Sequence, residues 1–402
     1  MTTLIEFHLI QSFVPANLNR DDNNYPKSCE FGGVRRARIS SQCIKRAIRH
    51  STPFKETIPA QIGDRTRRMM ELFKPRLVNA GRSETEVEKV IKAFTTAYAG
   101  LDDDSERKGR GQFSSVLVYL SAEDIALMEQ VMLEQWDAIL KVVEDAKGKF
   151  PKDTLKKASA LTKALADIAK QTRKRTSAPD IALYGRMLAD NPELGLEAAC
   201  QVAHAISTHA VEETEFDYFT AVDDLQPKED TGAGMLNVTA FNSACYYRYA
   251  CIDWEQLQLN LRKQGLTEVN VDLARCTVDA FMRGLVEAVP TGMKNRFAQN
   301  NPPSFALAVV RSGGPAWSLA NAFERAVPKT AEDGLIAPSV RKLDLYWGGL
   351  LRAYDEETLR RIAFFALEPE LVSELEHLTR CPENETTSLK DWRKAVLDAL
   401  QE

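Results

Sequence analysis

Thr3–Phe13 reads TLIEFHLIQSF, and its apolar residues recur at every second position. Ile5, Phe7 and Leu9 share one side, Glu6 and His8 the other. Successive side chains of a strand point to opposite faces, so the spacing predicts a half-buried N-terminal strand. An irregular stretch follows, residues 14–39, with Pro15, Pro26, four asparagines and Gly32-Gly33. Ser40-Ser41 then opens a helix of about ten residues, and either serine could cap it by accepting from a free backbone N–H. Ile44, Ala47 and Ile48 form its apolar stripe, whereas Gln42, Lys45 and Arg49, at i, i+3 and i+7, share another face. The opening therefore reads strand, basic loop, basic-faced helix.

Outward from there the pattern changes twice. Residues 55–176 read as mostly helical. A short strand in Phe113–Leu120 precedes a long helix that starts at Ser121-x-x-Asp124 and runs through Leu140, and Lys152–Lys174 forms a second. Strand-like alternation then returns, at Ile181, Leu183 and Gly185, at Val202, His204, Ile206 and Thr208, and through the aromatic run Phe241–Ile252. Between the last two lies the acidic stretch Val211–Ala240, which contains the turn-rich PKEDTGAG and implies a protruding hairpin. Asp253 is positioned to cap another helix, Asp272–Val289 is amphipathic, Ser304–Arg311 reads as a buried strand, and the acidic tail reads as helical. The pattern predicts a split α+β domain, residues 1–54 and 177–402, interrupted by a helical insertion at 55–176, with the hairpin at about 211–241.

The 402 residues contain 52 Lys and Arg against 57 Asp and Glu, a net charge of 52 − 57 = −5. That mean argues against a nucleic-acid binder, for which basic domains are the rule, but the charges are segregated. Lys27–Arg49 holds seven basic residues and one acid, and Lys141–Arg175 eleven against four. Val211–Asp230 holds eight acids and one lysine, and residues 353–402 twelve acids against six basic residues. Separate basic and acidic faces can hold a polyanion on one side and further copies of the chain, head to tail, with both. No apolar run approaches the roughly 20 residues of a membrane span. The first residues lack the basic segment of a signal peptide. Seven scattered cysteines with no C-x-x-C point to reduced thiols and a cytoplasmic setting.

Chemistry narrows the choice. Neither Gly109-Arg-Gly111 nor Gly313-Gly314 fits a phosphate-binding glycine motif, so no nucleotide cofactor is expected. His204 and His209 are five apart, a poor spacing for chelation, and read as structural; no metal is expected. Asp21-Asp22 and Asp223-Asp224 could hold a metal for phosphodiester cleavage, although solvated loop caps are commoner. The sharpest signal is the basic loop. Arg35, Arg36 and Arg38 run into Ser40-Ser41-Gln42, which supplies charge, hydroxyl and amide donors and a helix N-terminus within a few residues. Gly32-Gly33 would let a phosphate approach the backbone closely.

Asn19-Arg20-Asp21-Asp22, Phe31-Gly32-Gly33 and the run from Arg35 through Ala47 resemble the N-terminus of the CasC family, the RNA-coating backbone subunit of the type I-E CRISPR Cascade complex. Ala182-Leu183-x-Gly185-Arg186-Met187, Ala203-His204-Ala205-Ile206-x-Thr208-His209 and Phe219–Gln226 agree, as do Tyr247-Arg248-Tyr249-Ala250 and Ala320–Glu324. The resemblance implies an RRM-like (ferredoxin-like) palm, interrupted by helical fingers and carrying a thumb hairpin. It implies a non-catalytic subunit that polymerises along the CRISPR RNA and presents its bases to a target DNA strand. The implied partners are further copies of itself and the large, small, guide 5′-end cap and guide-processing subunits. Matching positions for RNA contact are Arg20, Lys27, Ser40, Gln42, Lys45 and Arg49, with Met187 wedged at a kink in the RNA; Arg35, Arg36, Arg38 and Arg46 belong to the same basic run. The thumb positions are Phe219, Thr220 and Leu236. The competing class is a metal-dependent endoribonuclease with Asp22 as its loop aspartate.

Overall fold

The computed structural model describes residues 2–401 apart from 59–61, 103–112, 147–149, 151, 173–174, 212–214, 222–223, 226–234, 262–269, 330–332 and 355–356. The chain forms two compact units, one of Met1–Thr57, Gln201–Asp253 and Val278–Glu402, the other of Ile58–Cys200 and Trp254–Thr277. The expected partition at 54/55 and 176/177 thus differs after the insertion: residues 177–200 and 254–277 lie in the second unit.

The strands are β1 (Thr3–Ala16), β2 (Ser28–Phe31), β3 (Val34–Ile39), β4 (Asp64–Thr66), β5 (Val118–Leu120), β6 (Cys200–Val202), β7 (Ala205–Ser207), β8 (Glu215–Ala221), β9 (Met235–Asp253), β10 (Phe305–Ser312) and β11 (Leu359–Ala366). The first unit is built on a mixed α/β plan around one sheet, ordered β11-β10-β1-β9-β7-β3-β2, with β8 paired to the first half of β9. Neighbours along that path are antiparallel. Of the inner strands β1, β7, β9 and β10, the spatial order is fourth, first, third, second.

β1 is buried on both faces, which corrects the half-buried expectation. Ile5, Phe7 and Leu9 face one core, where Phe7 meets Phe281 of the helix Val271–Glu287 at 5.7 Å and Trp392 of the helix Leu389–Asp398 at 5.9 Å between ring centroids. The other face packs on a second core that includes Leu307, Val309, Trp317 and Trp347. Glu6 and His8 point into it, fully buried. Burial is tolerated because partners arrive from distant segments. Glu6 Oε1 accepts from the Trp317 amide at 2.8 Å and lies 3.2 Å from Arg311 Nε. The Tyr247 hydroxyl accepts from the Leu319 amide at 2.8 Å and lies 2.9 Å from His8 Nδ1.

The second unit is helical; its larger core cluster runs from Met69 to Leu194, with Phe73, Phe94, Met128, Trp136 and Leu161 among its residues, and Leu196 belongs to a smaller cluster with Tyr119, Ala178 and Ile181. Ser121 and Asp124 form the expected capping box. The helix they start ends at Glu134, and a second runs Trp136–Asp145; the expected Phe113–Leu120 strand shrinks to β5. Asp124 also pairs with Arg186 at 2.9 Å, both side chains almost wholly buried. Pro179–Tyr184, expected as a strand, is a helix. Pro179 presets its first turn and Gly185, at φ +74°, ends it. All five residues from Pro179 to Leu183 are buried, so no polar face exposes the helical period. The acidic tail, expected as helical, contributes β11 as well as helix Leu389–Asp398.

Candidate nucleic-acid interface

Helix α1 (Ser41–His50) begins where the sequence places it. Ser40 is the N-cap, its hydroxyl accepting from the Cys43 amide at 3.4 Å. Ile44 and Ile48 are buried, and Gly284 of the facing helix is tightly approached: a Cβ there would sit 2.8 Å from Ile48 Cγ2. The apolar stripe is thus committed to the core, which leaves Gln42 and Arg46 exposed and Lys45 and Arg49 half-buried. Arg49 reaches His50 Nε2 at 3.3 Å.

Asn19 knits the preceding loop to this helix. Its side-chain oxygen accepts from the Ser40 amide at 2.9 Å, and its backbone carbonyl accepts from the Lys27 amide at 2.9 Å. The Lys27 carbonyl in turn accepts from the Arg38 amide at 2.9 Å. Asp21 closes the turn between Arg20 and Tyr25, its Oδ1 accepting from the Asn23 and Tyr25 amides, both at 2.9 Å. Asp22 is exposed in the same turn. The exposed Arg20, the half-buried Lys27 and Arg38, and α1 are therefore held on one hydrogen-bonded framework. Asn19 carries no charge, so a reading built on charge passes over it.

The three arginines of β3 have different fates. Arg35 is exposed, opposite Glu30 in register, and donates to Ser28 Oγ at 3.1 Å. Arg38 donates to the Ser28 carbonyl at 3.3 Å and lies 3.1 Å from His204 Nδ1. Arg36 is fully buried, and its N–H groups reach the carbonyls of Phe31, Ser207, Thr208, Phe323 and Glu324. Its donors are spent, so the expectation that it grips phosphate is corrected: Arg36 stitches β3 to the segments beside it. Gly32-Gly33 also has a structural reason. Both have positive φ, +62° and +74°, which a two-residue hairpin of type I′ requires between β2 and β3. A Cβ on Gly32 would stand 1.8 Å from the Glu324 carbonyl oxygen, so the close backbone approach is intramolecular.

Along α1 in the same unit runs a groove of about 1200 Å³, with Arg20, Arg46, His50, Lys294 and Asn300 among its lining residues. Burial raises the Cys29 and Cys43 thiols above their ordinary range despite neighbouring cations, so both stay protonated at neutral pH.

Met187 lies in the second unit and is 86% exposed. Phe219, Thr220 and Leu236 lie in the β8–β9 hairpin, where Thr220 is opposite Leu236 and Phe219 opposite Asn237. Glu212, Glu213, Asp223 and the PKEDTGAG turn fall outside the described residues. Among the described residues no group of three or more His, Cys, Asp or Glu is placed to hold a metal ion, and no helix is long and apolar enough to cross a membrane.

A family model described as CT1975-like protein matches residues 5–393. A chain of a CRISPR RNA-guided surveillance complex, pre-nicking, is 28% identical, with a TM-score of 0.77 over 98% of this chain and 99% of that one. A chain from another CRISPR RNA-guided surveillance complex shares the fold, with 23% identity and a TM-score of 0.69 over 98% and 99%. No curated protein sequence matches.

Proposed function

The chain belongs to the CT1975-like family, and from that premise we propose that it is a non-catalytic backbone subunit of a Cascade-type CRISPR surveillance complex, of subtype I-E, that coats the guide RNA. The observation that carries this reading is the framework on which Asn19, Lys27 and Ser40 hold Arg20, Arg38 and the polar face of α1 together. Such a surface offers charge and amide donors to sugar and phosphate and few aromatics, Tyr25 being the exposed one in the loop. A guide carrier must accept any spacer, and this chemistry does.

Within the reading, the inner strands with α1 and the helix Val271–Glu287 make an RRM-like palm, since their order follows the ferredoxin-like connectivity. The helical unit supplies the fingers, and β8–β9 the thumb. Phe216, Tyr218 and Val238 are exposed on that hairpin, which suits a surface that meets a neighbouring subunit or RNA. The acidic stretch Val211–Asp230 docks on basic surface of the next copy, and a contact between unlike patches propagates into an open filament. Met187 and the thumb kink the RNA, and the remaining bases pair with a target DNA strand.

The test is to purify the tagged chain with its native partners from the cytoplasm and to sequence the RNA bound. Guides of uniform length with unrelated spacers, protected in the stretch this subunit covers, are expected. Absence of guide RNA, or cleavage of RNA by the assembly with Mg²⁺ or Mn²⁺, would overturn the reading.

A further inference from the structure

We propose that His204 is a further contact for the RNA backbone, its Nε2–H holding one phosphate together with Lys27 and Arg38; this rests on the RNA-binding reading above. His204 immediately precedes β7, whose pairing with β3 sets Ile206 opposite Arg38. A guanidinium can only donate, so Nδ1, 3.1 Å from Arg38 NH1, is the acceptor and the ring proton sits on Nε2. The ring is exposed, and among the described residues Nε2 makes no hydrogen bond.

The electrostatics of the site are incomplete. Partial burial, then Arg38, then Lys27 lower the His204 pKa from its ordinary value, and both charged groups that act on it are cations. Lys27 and Arg46 act in the same way on Cys43 in α1, so His204 stands on the rim of the same positive field as the helix. A neutral imidazole beside two cations, with its remaining donor exposed, is the arrangement an anionic oxygen completes. Three donors on one phosphate would add a grip at the β7 edge of the palm, away from α1.

The assignment carries a pH signature. A bound phosphate puts negative charge beside the ring and favours its protonated form, in which the added proton sits on Nδ1 and the Arg38 N–H turns from the ring to the phosphate. The free-state pKa lies below 6.5 and the bound-state value above the free one, so binding takes up a proton between the two. Affinity therefore rises as pH falls through that window, by at most about tenfold per pH unit.

The experiment measures anisotropy of a labelled single-stranded RNA of arbitrary sequence with the full chain from pH 5.5 to 8. Because His50 also stands on α1, His204, His204→Gln and His204→Arg are compared in a His50→Gln background. His204 is expected to bind several-fold tighter at pH 5.5 than at pH 8. His204→Gln flattens the profile, and His204→Arg keeps tight binding at pH 8. Unchanged affinity and pH slope in His204→Gln would overturn the inference while leaving the RNA-binding reading intact. No RNA binding by the parent chain would overturn both. A pH response to polyglutamate but not to RNA would assign the site to an acidic protein partner and overturn it as well.

Discussion

Arg36 and Arg38 stand on the same face of β3, two residues apart, and meet different surroundings. Over Arg36 lie the carbonyls of Phe323 and Glu324, together with those of Ser207 and Thr208, and the guanidinium is wholly enclosed. Beyond it, Arg38 is half-open and meets His204. A count of basic residues gives the two equal weight. What separates them is a segment nearly 300 residues downstream, which converts one cation from a ligand-binding group into a structural one. Positive charge in a sequence is thus an upper limit on the charge a partner can reach.

The largest effect that bears on this contrast is expected at Arg36. Arg36→Met removes a donor from five carbonyls, of which Thr208 keeps the Val327 amide, and unsatisfied buried groups cost about 1–3 kcal/mol each; a loss of roughly 4 kcal/mol should appear as a lower urea midpoint. A variant of normal stability that fails to load RNA would instead place Arg36 at the ligand. Gly32→Ala comes next. It combines positive φ, worth about 1–2 kcal/mol, with a Cβ that collides with the Glu324 carbonyl. Gly33→Ala has open space and should lose only the conformational part, so equal melting temperatures for the two would remove the packing argument.

The enclosed region should also respond to pH where the open one does not unfold. Burial lowers the His8 pKa, with the Glu6 carboxylate opposing that effect and Arg311 adding to it. Below pH 6.5 the unfolded chain binds a proton that the folded chain refuses, so stability is full above 6.5 and falls as pH drops toward the folded pKa. Urea titrations at pH 7.5 and 5.5 check this, and His8→Gln should reduce the difference. The smallest effect on folding is expected at Lys45. Lys45→Ala should stay within about 0.5 kcal/mol yet weaken RNA loading similarly for unrelated spacers. Its salt slope should fall by about 0.7 for each phosphate that is no longer neutralised. A strong dependence on spacer sequence would contradict backbone recognition.

Local signals in the sequence are sufficient for α1. Its cap, its stripe of Ile44 and Ile48 and its polar face are all encoded within ten residues. The alternation of β1 is legible too, but its second buried face is not, since Glu6 and His8 depend on Trp317, Arg311 and Tyr247 for partners. Pro179–Tyr184 misleads for the opposite reason: a short segment buried from Pro179 to Leu183 shows neither period. In the candidate site the cations can be read directly. Asn19 cannot, because its two bonds matter only once Lys27 and Ser40 are brought together. His204 is visible as a histidine, and its spacing from His209 points only to a structural role; its bearing comes from Arg38, 166 residues away.

The central place of β1 has a consequence for how the chain is made. Its two neighbours are β9 and β10, ending at Asp253 and Ser312. At 5–20 residues per second, the ribosome needs roughly 15–60 s to deliver both after β1 emerges. Throughout that interval Ile5, Phe7, Leu9 and Ile10 wait without their sheet, and the helical unit waits too, since its Trp254–Thr277 segment follows β9 in the chain. The nascent chain therefore carries an unpaired apolar strand while both units are still incomplete, the state in which chaperone capture or aggregation competes most directly with folding.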